Sequence, residues 1–147
     1  MKRADIITII IEKQKGVIDS LKQTVERYKT ASDMDEESTH DPEDFSQQTQ
    51  AKDMQLRYEK TLKEAEQNLA FLEGELKTSH DKIERGALIE TDQSFLFVGI
   101  SVPVFIFESK EVVTFSDHAP VFQNIKRKNK GESIEVGSKS LQIIDFC

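Results

Sequence analysis

Two stretches of this chain space their apolar residues at alternating gaps of four and three. The first runs Ile7, Ile11, Gln14, Ile18, Leu21, Val25, Tyr28, and the second Tyr58, Leu62, Ala65, Leu69, Leu72, Leu76. A repeat averaging three and a half residues keeps one stripe of side chains facing a partner helix, so both stretches are read as coiled-coil helices. No Pro interrupts either run, and Gly16 and Gly74 lie off the seam. A polar Gln14 on the seam weakens it slightly and helps to fix its register. The connection is short and polar, which favours an antiparallel hairpin. Val25 with Tyr58, Leu21 with Leu62, Ile18 with Ala65 and Ile11 with Leu72 then pair in one constant register. Its turn centre falls between Asp41 and Pro42. Pro42 disfavours helix at Asp41, and Asp44 is the expected cap of the second helix.

The turn is the most acidic part of the chain. Asp33, Asp35, Glu36, Glu37, Asp41, Glu43 and Asp44 fall within twelve residues that contain no Lys or Arg. Carboxylate oxygens suit hard cations such as Mg²⁺, which keep several waters and need only one or two protein ligands. A solvated, acidic hairpin loop is the plainer reading. The spacing and Gly of an EF-hand are missing. Lys22, Arg27, Lys29, Lys52 and Arg57 flank the run on both arms. They are either ordinary outer-face charge or a means of steering along an anionic strand.

The formal net charge of −7 argues against general affinity for the nucleic-acid backbone. The only cysteine is Cys147, so neither an internal disulfide nor a Cys-based zinc site is available. The apolar run Ile6–Ile11 is too short to span a bilayer and is followed at once by Glu12 and Lys13, without a signal-peptide cleavage pattern. A soluble cytoplasmic protein with no membrane partner is expected.

At Gly86 the helical period gives way to β-rich runs over 87–90, 94–100, 104–107 and 111–115, with a turn at Asp92-Gln93-Ser94. Residues 118–128 read as a short helix with Pro120 in its first turn. Residues 133–136 and 140–146 read as two strands around Gly137-Ser138. The expectation is an α+β chain: a hairpin over 1–85, with its acidic tip at about 33–45, then a small α+β domain over 86–147. His40, His80 and His118 have no His partner at i+4 and no Cys neighbour, so zinc is not indicated. No P-loop, G-x-G-x-x-G or G-x-S-x-G occurs. An autonomous active site is not visible, and the chain is read as an accessory factor rather than an enzyme. Lys126, Arg127, Lys128 and Lys130 form a basic cluster, either a binding surface or the exposed end of the helix.

The order of parts resembles the bacterial Gre transcript cleavage factors. The resemblance rests on Ser116-Asp117-His118-Ala119-Pro120-Val121, then Lys126-Arg127, Gly131-Glu132, Ile134-Glu135-Val136 and the closing Leu141-Gln142-Ile143-Ile144. Clear matches are confined to about 116–146. At the tip, Asp41-Pro42-Glu43-Asp44-Phe45 can be laid on the family's E-N-A-E-Y, while Ser38 stands where the first key acid is expected and Glu37 lies one residue before it. The resemblance implies an FKBP-like second domain and a hairpin that enters the secondary channel of RNA polymerase. It implies that Asp41, with Glu37, helps to hold Mg²⁺ of the polymerase active site, and that Asp44 and Glu43 stand behind them as further catalytic carboxylates. Arg27, Lys29, Lys52, Arg57, Lys126, Arg127 and Pro120 would then contact the polymerase or RNA. The factor would carry no cofactor of its own, and the nascent RNA 3′ end and the DNA would be met through the polymerase.

Two other readings stay open. A Gre-like regulator can occupy the channel and inhibit without supporting cleavage. A coiled-coil adaptor or chaperone can use the same hairpin on a different client. A prolyl isomerase is disfavoured, because this domain has Phe but no Tyr or Trp for an aromatic cage.

Overall fold

A computed structural model of the chain describes residues 2–32 and 42–147, with the side chains of 42–45 left out of the description. Helix α1 spans Arg3–Ser32 and α2 spans Pro42–Glu75. Both are longer than their apolar seams. Every expected seam position from Ile7 to Tyr28 and from Tyr58 to Leu76 is buried or half-buried, so the heptad stripes do face protein. The burial pattern also continues towards the N-terminus of α2 through Ala51 and Gln55. Helix α2 begins at Pro42, whose missing N–H costs nothing at the first helical position. Asp44 therefore lies inside the first turn instead of capping it.

The chain divides into two compact units, residues 14–70 and residues 1–13 with 71–147. The division passes through both helices.

In the first unit the helices run antiparallel. Gln14 Nε2 donates to the Ala65 carbonyl at 2.9 Å, and the Tyr28 and Tyr58 rings stack with centroids 5.6 Å apart. Towards the end of α1, Ser32 Oγ donates to Gln55 Oε1 at 3.1 Å, and its carbonyl accepts from Gln48 Nε2 at 3.3 Å. Relative to the expected register, Gln14 reaches one turn along α2 towards its start, and Tyr28 one turn towards its end. Displacements in both directions are interdigitation about that register; a slipped heptad would move them all one way.

The second unit is built on a mixed six-stranded sheet. Its strands are β1 (Leu88–Thr91), β2 (Ser94–Val98), β3 (Phe105–Phe107), β4 (Lys110–Phe115), β5 (Ser133–Val136) and β6 (Lys139–Phe146), in the order β3-β4-β2-β1-β6-β5. The β1–β2 turn is encoded by Thr91, whose buried Oγ1 accepts from the Ser94 N–H at 2.9 Å. After β2 the chain passes to the sheet edge as β3. It then returns as β4, which lies parallel to β2 and antiparallel to β3. Thr114 ties the passing segment to the sheet: its hydroxyl accepts from Val102 N–H at 2.7 Å and lies 3.2 Å from the Val102 carbonyl.

Helix α3 spans Pro120–Ile125, shorter than the 118–128 expected. It stops because Lys126 is already the cap, and the basic run beyond it offers no apolar face to bury. All five β2 residues are buried, which means that both faces of the central strand are covered. Leu96 and Val98 join Ile125, Ile134, Leu141 and Ile143 in one cluster beside α3. On the opposite face Phe97 meets Phe71 of α2, at 6.5 Å between ring centroids. Gly99 is required where the chain leaves β2. Its φ is +139°, and a Cβ there would lie 2.8 Å from the Phe71 ring. No described helix is long and apolar enough to cross a membrane.

Candidate functional site

The hairpin end is assembled from polar seam residues. Beyond Tyr28 and Tyr58 the two helices are joined by Ser32, Gln48 and Gln55, and this polar closure brings the last turn of α1 beside α2. Gln55 is buried and also donates to Glu59 Oε1 at 2.9 Å, so its amide is used at both atoms. The acidic segment connects these two helices in sequence. Glu37 and Asp41, and the Ser38 between them, lie outside the described residues. Glu43 and Asp44 belong to the first turn of α2, with side chains outside the description.

The basic residues on the arms are described. Arg27 and Lys29 on α1, and Lys52 and Arg57 on α2, are all exposed, as is Lys22. Arg27 bonds only locally, to Thr24 Oγ1 at 3.3 Å. These five cations are therefore presented to solvent on the helical arms. In the sheet unit, Pro120 is exposed at the start of α3, Lys126 is its half-buried cap and Arg127 is exposed just beyond. Lys128 pairs with Glu132 at 3.7 Å and Lys130 with Asp145 at 2.7 Å. The Lys130 contact, helped by the Phe146 N–H, holds the Asp145 carboxyl below its ordinary value. Half of the basic cluster is thus occupied within the domain, leaving Lys126 and Arg127 as its presentable part.

A second polar cluster has no counterpart in the expectations from sequence. Arg3 is buried at the start of α1 and spends its guanidinium on four backbone carbonyls and one carboxylate. Nε donates to Thr78 at 2.8 Å, Nη1 to Gly86 at 2.8 Å and Cys147 at 3.0 Å, and Nη2 to the Glu75 carbonyl at 3.2 Å. Nη2 also meets Glu75 Oε2 at 2.6 Å. The planar five-donor fork suits this task, since it satisfies carbonyls left open at the end of α2. The Glu75 carboxylate lies over Gly86, where φ is +98° and an added Cβ would sit 2.6 Å from it. His80 completes the cluster between Glu75 and Glu84, at 2.8 Å from each. Looking for His–His or His–Cys spacings passes over this group. The one local signal was Glu84 four residues after His80.

Among the described residues, no group of three or more His, Cys, Asp or Glu is arranged to hold a metal ion. Comparison with protein-family models, curated proteins and solved structures returns no match to this chain.

Proposed function

We propose that this chain is an RNA polymerase secondary-channel factor of the Gre type, whose acidic tip supports Mg²⁺-dependent cleavage of backtracked RNA by the polymerase. The observation that carries the reading is the antiparallel pairing of α1 with α2. The pairing holds Ser32 against Gln48 and Gln55, and the carboxylate-rich segment connects those two helices. Exposed Arg27, Lys29, Lys52 and Arg57 on the arms would attract an anionic strand that comes within about a Debye length, roughly 8 Å at physiological salt. An FKBP-like sheet domain, presenting Pro120, Lys126 and Arg127, serves as the anchor on the polymerase.

The chain contributes carboxylates rather than a complete site. Asp41, with Glu37, helps to hold the polymerase's second Mg²⁺, and Asp44 and Glu43 add negative charge beside it. Two-metal sites stabilise the attacking and leaving oxygens together, so a borrowed carboxylate suits a site that binds its second ion weakly. The protein itself needs no cofactor in this scheme.

The test is cleavage of a labelled transcript in stalled, backtracked polymerase complexes, with wild type, Asp41→Ala and Glu37→Ala. Wild type is expected to accelerate cleavage, Asp41→Ala to lose most of the effect and Glu37→Ala less. If the wild type binds polymerase without accelerating cleavage, the cleavage reading is rejected and the channel-blocking regulator stands. If it captures no polymerase subunit, the adaptor or chaperone reading replaces both.

A further inference from the structure

His80 stands between two carboxylates of different elements. Its Nε2 lies 2.8 Å from Glu75 Oε2 at the end of α2, and its Nδ1 lies 2.8 Å from Glu84 Oε1 in the segment leading to β1. A neutral imidazole has one N–H and one lone pair. It can satisfy one of these contacts, but then turns a lone pair towards the other carboxylate. Only the imidazolium donates to both. The His80 side chain is 10% exposed, so water does little to relieve that mismatch.

The surrounding charges give the same answer. Glu75 faces His80 from α2, and Arg3 approaches the same carboxylate oxygen from α1. Glu84 faces it from its own segment, with Lys82 Nζ behind at 3.6 Å from Glu84 Oε2. Cys147, at the end of β6, faces Arg3, and burial pushes its thiol up, which favours the uncharged form. With His80 protonated, two buried cations face two carboxylates. Without that proton, Glu75 keeps Arg3 and Glu84 keeps only the exposed Lys82, while one imidazole lone pair faces a carboxylate oxygen at 2.8 Å.

We infer that His80 is a proton-operated clasp: its proton fastens residues 76–82 to the end of α2, and loss of that proton loosens them. The 76–87 segment contains no helix or strand. Its later part is held by Ile83 in the core cluster, by backbone bonds of Gly86 and Ala87 to Val98 and by Arg85 over the Phe71 ring, whereas residues 76–82 are tied down across the fold chiefly by Arg3 and His80.

The titration follows the geometry. Burial is the largest single influence on His80 and lowers its proton affinity, but the bonds to Glu84 and Glu75 together outweigh it and raise the pKa above the ordinary 6.5. A group raised on folding contributes stability that is complete below its unfolded value and is lost as pH rises through the folded one. Glu84 is pulled the other way, chiefly by its bond to His80, so its share is lost as pH falls through its lowered value. The clasp is therefore closed between the lowered Glu84 value and the raised His80 value, and opens as pH rises through the latter.

Two measurements test the inference. First, the His80 ring proton is followed by NMR against pH in the folded chain and in the urea-unfolded chain. The folded midpoint is expected above the unfolded one; a midpoint at or below it overturns the clasp. Second, the exposed Lys77 and Lys82 make residues 76–82 a trypsin substrate when they open. Wild type and His80→Gln are digested side by side at about pH 6 and about pH 9. Comparison at equal pH cancels the protease's own pH dependence, and Gln has no proton to lose. Wild type is expected to resist better at the lower pH and to converge on the variant at the higher. The ratio should change by up to about tenfold for each pH unit between the folded and unfolded His80 midpoints. A ratio that does not change with pH means that His80 acts only as a spacer, and overturns the proposal.

Discussion

The two compact units bury different chemistry. Among the described residues of 14–70 the buried positions are Gln14, Ile18, Ala51, Gln55 and Ala65, while Leu21, Val25, Tyr28, Tyr58, Leu62 and Leu69 are only half-buried. In residues 1–13 with 71–147, Ile6, Ile7, Ile10, Leu72, Leu88, Leu96 and Phe97 are wholly withdrawn from water. A full apolar burial stabilises by about 1.5–3 kcal/mol, so most of the stabilising free energy resides in the second unit. The hairpin is specified by its period and by polar contacts at defined positions. It trades stability for a long, charged and well-registered surface, whereas the sheet unit offers a packed platform.

The strongest way to break the comparison is to truncate one apolar side chain in each unit. Phe97→Ala is expected to cost about 3–5 kcal/mol of unfolding free energy, while Leu62→Ala, already half in water, costs roughly 1–2 kcal/mol. Native probes separate the two. Tyr28 and Tyr58 are the only tyrosines and there is no Trp, so intrinsic emission reports on the hairpin. The partly buried Cys147 thiol reports on the sheet unit through its labelling rate. Leu62→Ala should move the first probe and leave the second, and equal movement of both would deny the units any independence.

Next in size is Arg3→Ala. It strands the Glu75 carboxylate and several carbonyls in a buried setting, at a cost of about 3 kcal/mol measured by urea unfolding. Arg3→Lys should recover little of this, because a single ammonium cannot reproduce the fork. Full rescue by Lys would mean that only the charge mattered.

A smaller effect of opposite sign is expected in the hairpin. Gln14→Leu replaces a buried amide bonded to the Ala65 carbonyl with an apolar seam residue. It should stabilise the helix pair by about 1 kcal/mol while loosening its register, seen as weaker protection of amides near Tyr28 and Tyr58 from exchange. Destabilisation instead would show that the amide contributes more than it costs. The least change belongs to Lys130→Ala. Its partner Asp145 and it are both solvent-accessible, so the loss should stay within about 0.5 kcal/mol at neutral pH.

How far the sequence foretold the fold depends on whether the information is periodic. The helical seams and all six strand positions are local patterns, and the structure places elements on each of them. The true start of α2 at Pro42 was hidden because its early seam positions, Gln48, Ala51 and Gln55, are not large apolar residues. Asp44 was misassigned as a cap for the same reason. The insertion of β4 between β3 and β2 depends on contacts distant in sequence, which strand patterns do not encode. The Arg3–Glu75–His80 cluster joins residues from three regions with no repeat or spacing to announce it. Of the candidate site, the basic residues on the arms are exposed, which fits ordinary outer-face charge and a binding face alike. The carboxylates Glu37 and Asp41 rest on sequence and resemblance alone.

If the chain is a Gre-type factor, as proposed, its acidic segment reaches the polymerase active site while the sheet domain stays at the channel rim. Because Cys147 is the only native cysteine, Cys147→Ser combined with Ser38→Cys gives one label position within the acidic run. An iron chelate attached there and activated in a complex with polymerase cuts the protein or RNA that lies nearby. Cuts beside the catalytic Mg²⁺ and the RNA 3′ end are the predicted result, lost when excess unlabelled protein competes. Cuts confined to the outer surface of the polymerase, or none with the protein bound, would contradict the account.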